Sequence, residues 1–320
     1  MTTNASRRVR VEDLERVANR IKRFAFVPID GLPLPIFSPG AHVIVTMRDG
    51  TRAWRNPYSL MSSPLDTSCY QISVLRVDDT RGGSAYMHER VLKGSTLEIN
   101  EPVNLFPIDR TGRKHILIAG GIGITPFLAM IAQFKHDKTN FELHYAVRSL
   151  EEGAYCNLLC GNDASSVFVY RSDKGQRIPL VQILENQPLG THLYVCGPQR
   201  MIDWTLQTAK EEGWPKENVH YEHFDAPPPG REFVVKLAKS QREIIVGEHQ
   251  SILEALEQAG VDAPYLCRGG ACGQCVTAIS DARGRILHND HYLSDDEKRC
   301  GGRIATCVSR MDGGSLTLDL

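Results

Sequence analysis

Cys267, Cys272 and Cys275 stand in the run Cys-Arg-Gly-Gly-Ala-Cys-Gly-Gln-Cys, and Cys307 follows after 31 intervening residues. C-x4-C-x2-C…C is the spacing of plant-type two-iron, two-sulfide clusters. Four thiolates must converge on one compact inorganic core, so three of them come from a single tight loop. Gly269, Gly270 and Gly273 are expected to carry that loop through positive φ and to bring backbone N–H groups close to sulfur. Zinc knuckles pair their cysteines two residues apart, which the four-residue gap does not fit. The chemistry on offer is one-electron redox.

Two further constellations point to a hydride carrier. Gly120-Gly-Ile-Gly-Ile-Thr-Pro126 follows a short apolar run at 115–119 and precedes an apolar helical stretch at 127–134. Thr125 is expected to cap that helix, with Pro126 in its first turn. Backbone N–H groups of Gly120, Gly121 and Gly123, together with Thr125 and the positive helix end, suit a dinucleotide pyrophosphate. The G-x-G-x-x-G fingerprint is absent, so a plain strand-to-helix turn is the alternative. A second turn, Cys196-Gly197-Pro198 with Met201 beyond it, ends the run 192–196 in the same way, and two such turns build one cleft. After the run 141–147, Arg148 and Ser149 suit a ribose 2′-phosphate, but Glu151 and Glu152 repel one, which favours NADH over NADPH. In Arg55-Asn56-Pro57-Tyr58-Ser59-Leu60, the tyrosine can cover a flavin face, the hydroxyl can bond the ring, and the arginine can offset negative charge. An ordinary strand with polar side chains is the alternative there. Arg81-Gly82-Gly83-Ser84 offers donors to a phosphate ahead of a short helix at about 84–93.

The elements that must position these groups change character along the chain. Residues 9–108 alternate short β-branched runs with turn signals, the pattern of a small antiparallel barrel. From about residue 113, strands and helices alternate, as in an open parallel sheet. The proline-rich stretch 226–230 reads as a linker. Beyond it come a hairpin at 232–246 and capping boxes at Ser251/Glu254 and Ser294/Glu297. The expected organisation is multidomain: an antiparallel β-barrel at 1–110, an α/β domain at 111–226, a linker at 227–231 and an α+β domain at 232–320. In 320 residues, 42% hydrophobic and 23% charged with net charge −1, nothing favours nucleic acid or a membrane surface. No 18-residue apolar run stands out, and the first ten residues lack the apolar core of a secretory signal. Nine cysteines, an odd count, favour a reducing cytoplasm over a disulfide scaffold. His288 with His291 reads as a surface loop pair, Cys300 as a spare thiol, and Cys156 with Cys160 as small buried hydrophobes.

The order barrel, nucleotide sheet and cluster domain resembles the phthalate dioxygenase reductase family, over nearly the whole chain. The marks are Tyr58-Ser59-Leu60, Gly82-Gly83-Ser84, the turn from Gly120 to Pro126, Cys196-Gly197-Pro198 with Met201, and the four cysteines. The resemblance implies FMN on the barrel, NADH on the sheet domain, and a C-terminal ferredoxin of β-grasp type holding the 2Fe-2S cluster. Relatives that carry their ferredoxin first use FAD, so domain order favours FMN. By resemblance, Tyr58, Ser59 and Leu60 serve the flavin ring, and Gly82, Gly83 and Ser84 its phosphate. Cys196 lies near nicotinamide and flavin, and Phe224 covers the flavin. The family usually reads Arg-x-Tyr-Ser, whereas here Arg55 stands three residues before Tyr58 and Asn56 takes the expected place. Either Arg55 reaches the flavin through a bend at Pro57, or Asn56 assumes its part. The implied function is hydride transfer from NADH to FMN, then single electrons through the cluster to the Rieske-type oxygenase component of a two-component system. The chain itself shows no Rieske or mononuclear iron motif. Another acceptor, such as a cytochrome or ferric chelate, and a non-enzymatic redox sensor are the alternatives.

Overall fold

The computed structural model describes residues 6–50, 52–78, 81–162, 165–224 and 229–320, with backbone alone at 160–162. Most of the expected linker, 226–228, and the Cys160 side chain therefore lie outside the described residues. The first sheet comprises β1 (Arg7–Ala18), β2 (Ile21–Pro28), β3 (Ala41–Asp49), β4 (Arg52–Ser59), β5 (Tyr70–Leu75), β6 (Thr96–Ile99) and β7 (Val103–Asn104). Its order is β4-β3-β6-β1-β2-β5, with β7 on β3, and β1, β2, β5 and β6 pair antiparallel as the barrel pattern predicts. The helix of this region, α1 (Gly83–Glu89), stops earlier than its sequence suggests. Val91 is drawn into the core at 2% exposure, and Gly94 at φ +87° turns the chain into β6.

The second sheet is made of β8 (Lys114–Gly120), β9 (Asn140–Val147), β10 (Val167–Arg171), β11 (Thr191–Cys196) and β12 (Val219–Glu222). Between them run α2 (Thr125–Asp137), α3 (Cys156–Asn162), α4 (Leu180–Leu184) and α5 (Gln199–Glu211). All five strands are parallel in the order β10-β9-β8-β11-β12. β8 and β11 are apolar on both faces because helices cover both. Leu117 and Ala119 pack with Phe127, Met130 and Phe134 of α2, while Ile116 and Ile118 pack with Leu180, Ile183 and Ile202. The chain leaves β8 toward β9 on one side and returns to β11 on the other. That reversal opens a crevice at the carboxyl ends of these two strands.

The C-terminal part contains β13 (Phe233–Leu237), β14 (Glu243–Val246), α6 (Ile252–Gln258), β15 (Val276–Arg283), β16 (Ile286–Leu287), α7 (Asp295–Cys300), β17 (Arg303–Ala305), β18 (Arg310–Met311) and β19 (Ser315–Leu318). Its main sheet runs β14-β13-β19-β15-β17, with the expected β13–β14 hairpin and a parallel β13–β19 pair, a β-grasp arrangement. Both capping boxes form, Ser251 with Glu254 and Ser294 with Glu297. Helix α6 buries Ile252, Leu253 and Leu256 against Phe233, Val235 and Leu316. Arg310, 2% exposed, donates to the carbonyls of Gly230, Arg231, Gly247 and Gln250, which ties the entering strand down.

By contacts the chain forms two compact units. One comprises Met1–Met47, Tyr58–Arg76 and Met87–Phe224; the other comprises Arg48–Pro57, Val77–Tyr86 and Asp225–Leu320. Most of the barrel thus groups with the parallel sheet, while most of β4 and the segment leading into α1 group with the C-terminal part. Gly40, at φ +91°, lies where a Cβ would come within 2.8 Å of the Phe106 carbonyl carbon, and Ser73 Oγ lies 2.6 Å from Tyr155 Oη.

Candidate functional site

In the second unit the four expected cysteines come together. Cys267, Cys275 and Cys307 are 2–3% exposed, and Cys272 is half-buried at the loop tip. The thiols fall into two facing pairs, as two irons with two thiolates each require. Cys275 Sγ lies 3.1 Å from Cys307 Sγ, and the Cys272 thiol faces Cys267. That thiol, with the N–H groups of Gly269, Ala271 and Cys272, holds Cys267 down to about 5 against the cost of burial. Thiolate ligands with amide donors aimed at sulfur are the donor set a 2Fe-2S cluster needs.

The loop bends differently from its sequence reading. Gly270 and Gly273 are left-handed at φ +75° and +74°, but the third such residue is Arg268, at φ +53°, and not Gly269. An added Cβ would come within 2.8 Å of Val308 at Gly270 and within 2.5 Å of the half-exposed Tyr292 ring at Gly273, and the left-handed φ at both positions favours glycine. Arg268 accepts left-handed backbone, at a cost of roughly 1–2 kcal/mol, because its guanidinium is anchored. It bonds both oxygens of Glu257 and lies 3.9 Å over the Tyr265 ring. His288 is no surface residue: its side chain is 10% exposed, with Nδ1 3.6 Å from the buried Asp290 carboxylate. His291 and Cys300 are exposed, and Cys156 is buried.

The same unit holds one group of expected flavin residues. Asn56 packs directly over Gly83, where a Cβ would meet its Nδ2 at 2.5 Å, and Gly82 turns at φ +103° against Trp54. Ser84 Oγ closes the loop by accepting from Val77 N–H at 3.3 Å. Arg55 instead donates to Glu257 at 2.9 Å.

In the first unit, Tyr58 is half-buried. Ser59 Oγ is buried with no hydrogen-bond partner among the described residues, which fits a hydroxyl reserved for a ring heteroatom. Leu60, expected at the flavin, is a barrel core residue: its side chain is fully buried and its N–H goes to Ala41 O. Phe224 is 40% exposed.

The two glycine turns meet as their spacing predicts. A Cβ on Gly123 would lie 2.5 Å from the Cys196 carbonyl carbon and 2.8 Å from Gly197 N, and one on Gly120 would meet Pro198 at 2.7 Å and Met201 Sδ at 2.8 Å. Gly121 to Ile124 form a 3-10 turn, with Gly121 at φ +54° and its carbonyl accepting from Tyr145 Oη. Thr125 does not cap α2. It lies inside the helix and its hydroxyl donates back to Ile122 O at 3.0 Å, because the 3-10 turn already supplies the helix entrance. Arg148 Nη1 lies 3.7 Å from Glu152, and Ser149 Oγ donates to Glu151 at 2.7 Å. The groups that would greet a 2′-phosphate are thus already facing carboxylates.

Sequence reasoning passed over Glu222, which β12 places opposite Cys196 of β11. Its Oε2 is sealed from solvent without a partner among the described residues, and burial pushes the carboxyl up to about 8. Burial, then the Glu222 charge, raises the Cys196 thiol well above its usual range. At neutral pH both groups are protonated, an uncharged wall at the end of β11. Between pH 4.5 and 8 the folded chain keeps a Glu222 proton that the unfolded chain has lost. This group's contribution to stability therefore falls as pH rises through that window and is constant above it. Thermal unfolding from pH 5 to 9 is expected to show a shallower decline in Glu222→Gln than in the parent, by up to about 1.4 kcal/mol per pH unit. Equal slopes would show that the carboxyl titrates normally.

Comparison with known proteins agrees over the full length. A family model described as "Dimethylamine monooxygenase subunit DmmA-like, N-terminal domain" matches residues 102–219, and one for the 2Fe-2S iron-sulfur cluster binding domain matches 235–312. The chain is 44% identical over 312 residues to the carnitine monooxygenase reductase subunit of Acinetobacter baumannii, covering 97% of this chain and 96% of that one. It is 41% identical to the heme-dependent oxidative N-demethylase beta subunit of Ectopseudomonas mendocina, covering 98% of each. Among solved structures it resembles phthalate dioxygenase reductase, "a modular structure for electron transfer from pyridine nucleotides to [2Fe-2S]", with TM-score 0.90, 33% identity, and coverage of 99% of this chain and 98% of that chain.

Proposed function

The chain belongs to the phthalate dioxygenase reductase family, and from that premise we propose that it serves a Rieske-type oxygenase acting on a methylated or quaternary amine. It is an oxidoreductase of an oxygenase system, using NADH, FMN and a plant-type 2Fe-2S cluster. When bound, the flavin turns a two-electron hydride donor into a source of single electrons, and the cluster relays them outward. The chain's own residues bind and orient. Ser59 offers its free hydroxyl to the flavin ring, Tyr58 its face, and Asn56 with Gly82, Gly83 and Ser84 the ribityl-phosphate end. Phe224 covers the ring. Gly120, Gly121, Gly123, Gly197, Pro198 and Met201 line the NADH crevice, Arg148 and Ser149 sit at its ribose end, and Cys196 stands at the nicotinamide. Cys267, Cys272, Cys275 and Cys307 ligate the cluster. Functional boundaries at 1–110, 111–226 and 232–320, and a cytoplasmic location, complete this reading.

The observation that carries it is the union, in one chain, of a three-cysteine loop closed by Cys307 with a crevice formed by two touching glycine turns. The amine class is supported by higher identity to the carnitine and N-demethylase subunits than to phthalate dioxygenase reductase, 44% and 41% against 33%. The N-demethylase relative favours a second reading, in which the terminal component is a haem protein. No helix among the described residues is long and apolar enough to cross a membrane. Purified chain with NADH and cytochrome c is expected to turn over steadily. Adding a candidate Rieske oxygenase with a trimethylammonium substrate should then couple NADH loss to product. Coupling only to a haem oxygenase would select the second reading, and no turnover with cytochrome c would sink both.

A further inference from the structure

We propose that Glu257 is a positioning residue that couples the flavin strand to the cluster loop through one shared carboxylate. The inference rests on reading β4 as the flavin strand. Arg55 of β4 donates to Glu257 Oε2 at 2.9 Å, and Arg268 donates to the same oxygen at 3.2 Å and also to Oε1. Arg268 is the neighbour of Cys267, so one carboxylate of α6 spans from β4 to a cluster ligand. The three side chains are 25%, 17% and 4% exposed for Arg55, Glu257 and Arg268, which makes this a largely dry clamp. One turn earlier on α6, Glu254 holds Arg81 at 2.6 Å, and Arg81 leads directly into Gly82-Gly83-Ser84. Both segments assigned to the flavin are therefore tied to one helix of the cluster domain. Charges in such surroundings are weakly screened, so Glu257 also offsets a buried cation beside the cluster. With both groups bound, the clamp would hold the flavin strand against the cluster loop and set the charge beside Cys267.

The test uses the full-length holoprotein with Glu257→Gln and Glu257→Asp. Removing the carboxylate charge uncovers Arg268 and favours the reduced cluster. The reduced-to-oxidised ratio at fixed ambient potential should rise about tenfold, or 59 mV for one electron, in a titration followed by electron paramagnetic resonance. Cluster reduction after mixing with NADH should slow about tenfold, while flavin bleaching stays within twofold. The aspartate keeps the charge and loses reach, so it should slow cluster reduction and leave the potential nearly unmoved. A clamp that only stabilised the fold would lower the melting temperature and move neither quantity. A glutamine variant with parental potential and parental rate overturns the proposal. If that variant loses its cluster, an aspartate variant with parental rate overturns it instead. A parent protein that binds neither flavin nor iron would fail the family reading and not the clamp.

Discussion

Cys272→Ser is expected to abolish the visible absorbance of the cluster and reduce electron delivery to cytochrome c at least a hundredfold, while NADH still bleaches the flavin. The three other ligands are sealed at 2–3% exposure, and Cys272 is the half-buried one. A serine there is close in size and leaves Gly270 and Gly273 in their left-handed turns, so the loop keeps its path. What changes is the donor. A serine hydroxyl stays protonated at neutral pH, and a cluster that requires four thiolates is left with three. The NADH crevice between β8 and β11 belongs to the other unit and is untouched. Iron and sulfide analysis, with stopped-flow absorbance on one preparation, would measure all three quantities. Parental cytochrome c reduction in a cluster-free variant would show that electrons leave from the flavin directly.

Gly123→Ala should raise the KM for NADH at least tenfold, with a loss of stability of about 1–3 kcal/mol. The added methyl would meet the Cys196 carbonyl carbon at 2.5 Å and Gly197 N at 2.8 Å, all backbone, so no side-chain rotation relieves it. Relief requires the two turns to separate, and these turns are the walls of the crevice. Gly121→Ala controls for backbone strain alone, in the denaturation measurement. A Cβ there meets nothing within 4 Å, and the cost comes only from φ +54°, on the order of 1 kcal/mol. Chemical denaturation with NADH steady-state kinetics separates the two effects. Unchanged KM in the Gly123 variant would mean that the nucleotide does not lie against this contact.

Local chemistry made much of this protein legible from its sequence. The cysteine spacing, the glycine turns after apolar strands, and the capping boxes at Ser251 and Ser294 are short-range signals, and each formed where its residues predict. The exceptions are instructive because they too are local, but were decided elsewhere. Thr125 has the right type for a cap, yet a preceding 3-10 turn took over the helix entrance. Of the three glycines expected to turn, Gly269 does not, and Arg268, anchored by Glu257, turns in its place. Leu60 sits beside Tyr58 and Ser59 in sequence, but it lies just past the end of β4 with its side chain fully buried. What tertiary structure alone decided is which distant charges meet. Arg55 and Glu257 stand 202 residues apart, and Glu222 finds Cys196 only because β12 lies against β11. Spacing encodes groups that share a loop or a helix turn. It carries no record of partners brought together by the packing of separate elements, and the Glu257 clamp and the raised carboxyl of Glu222 exist only through that packing.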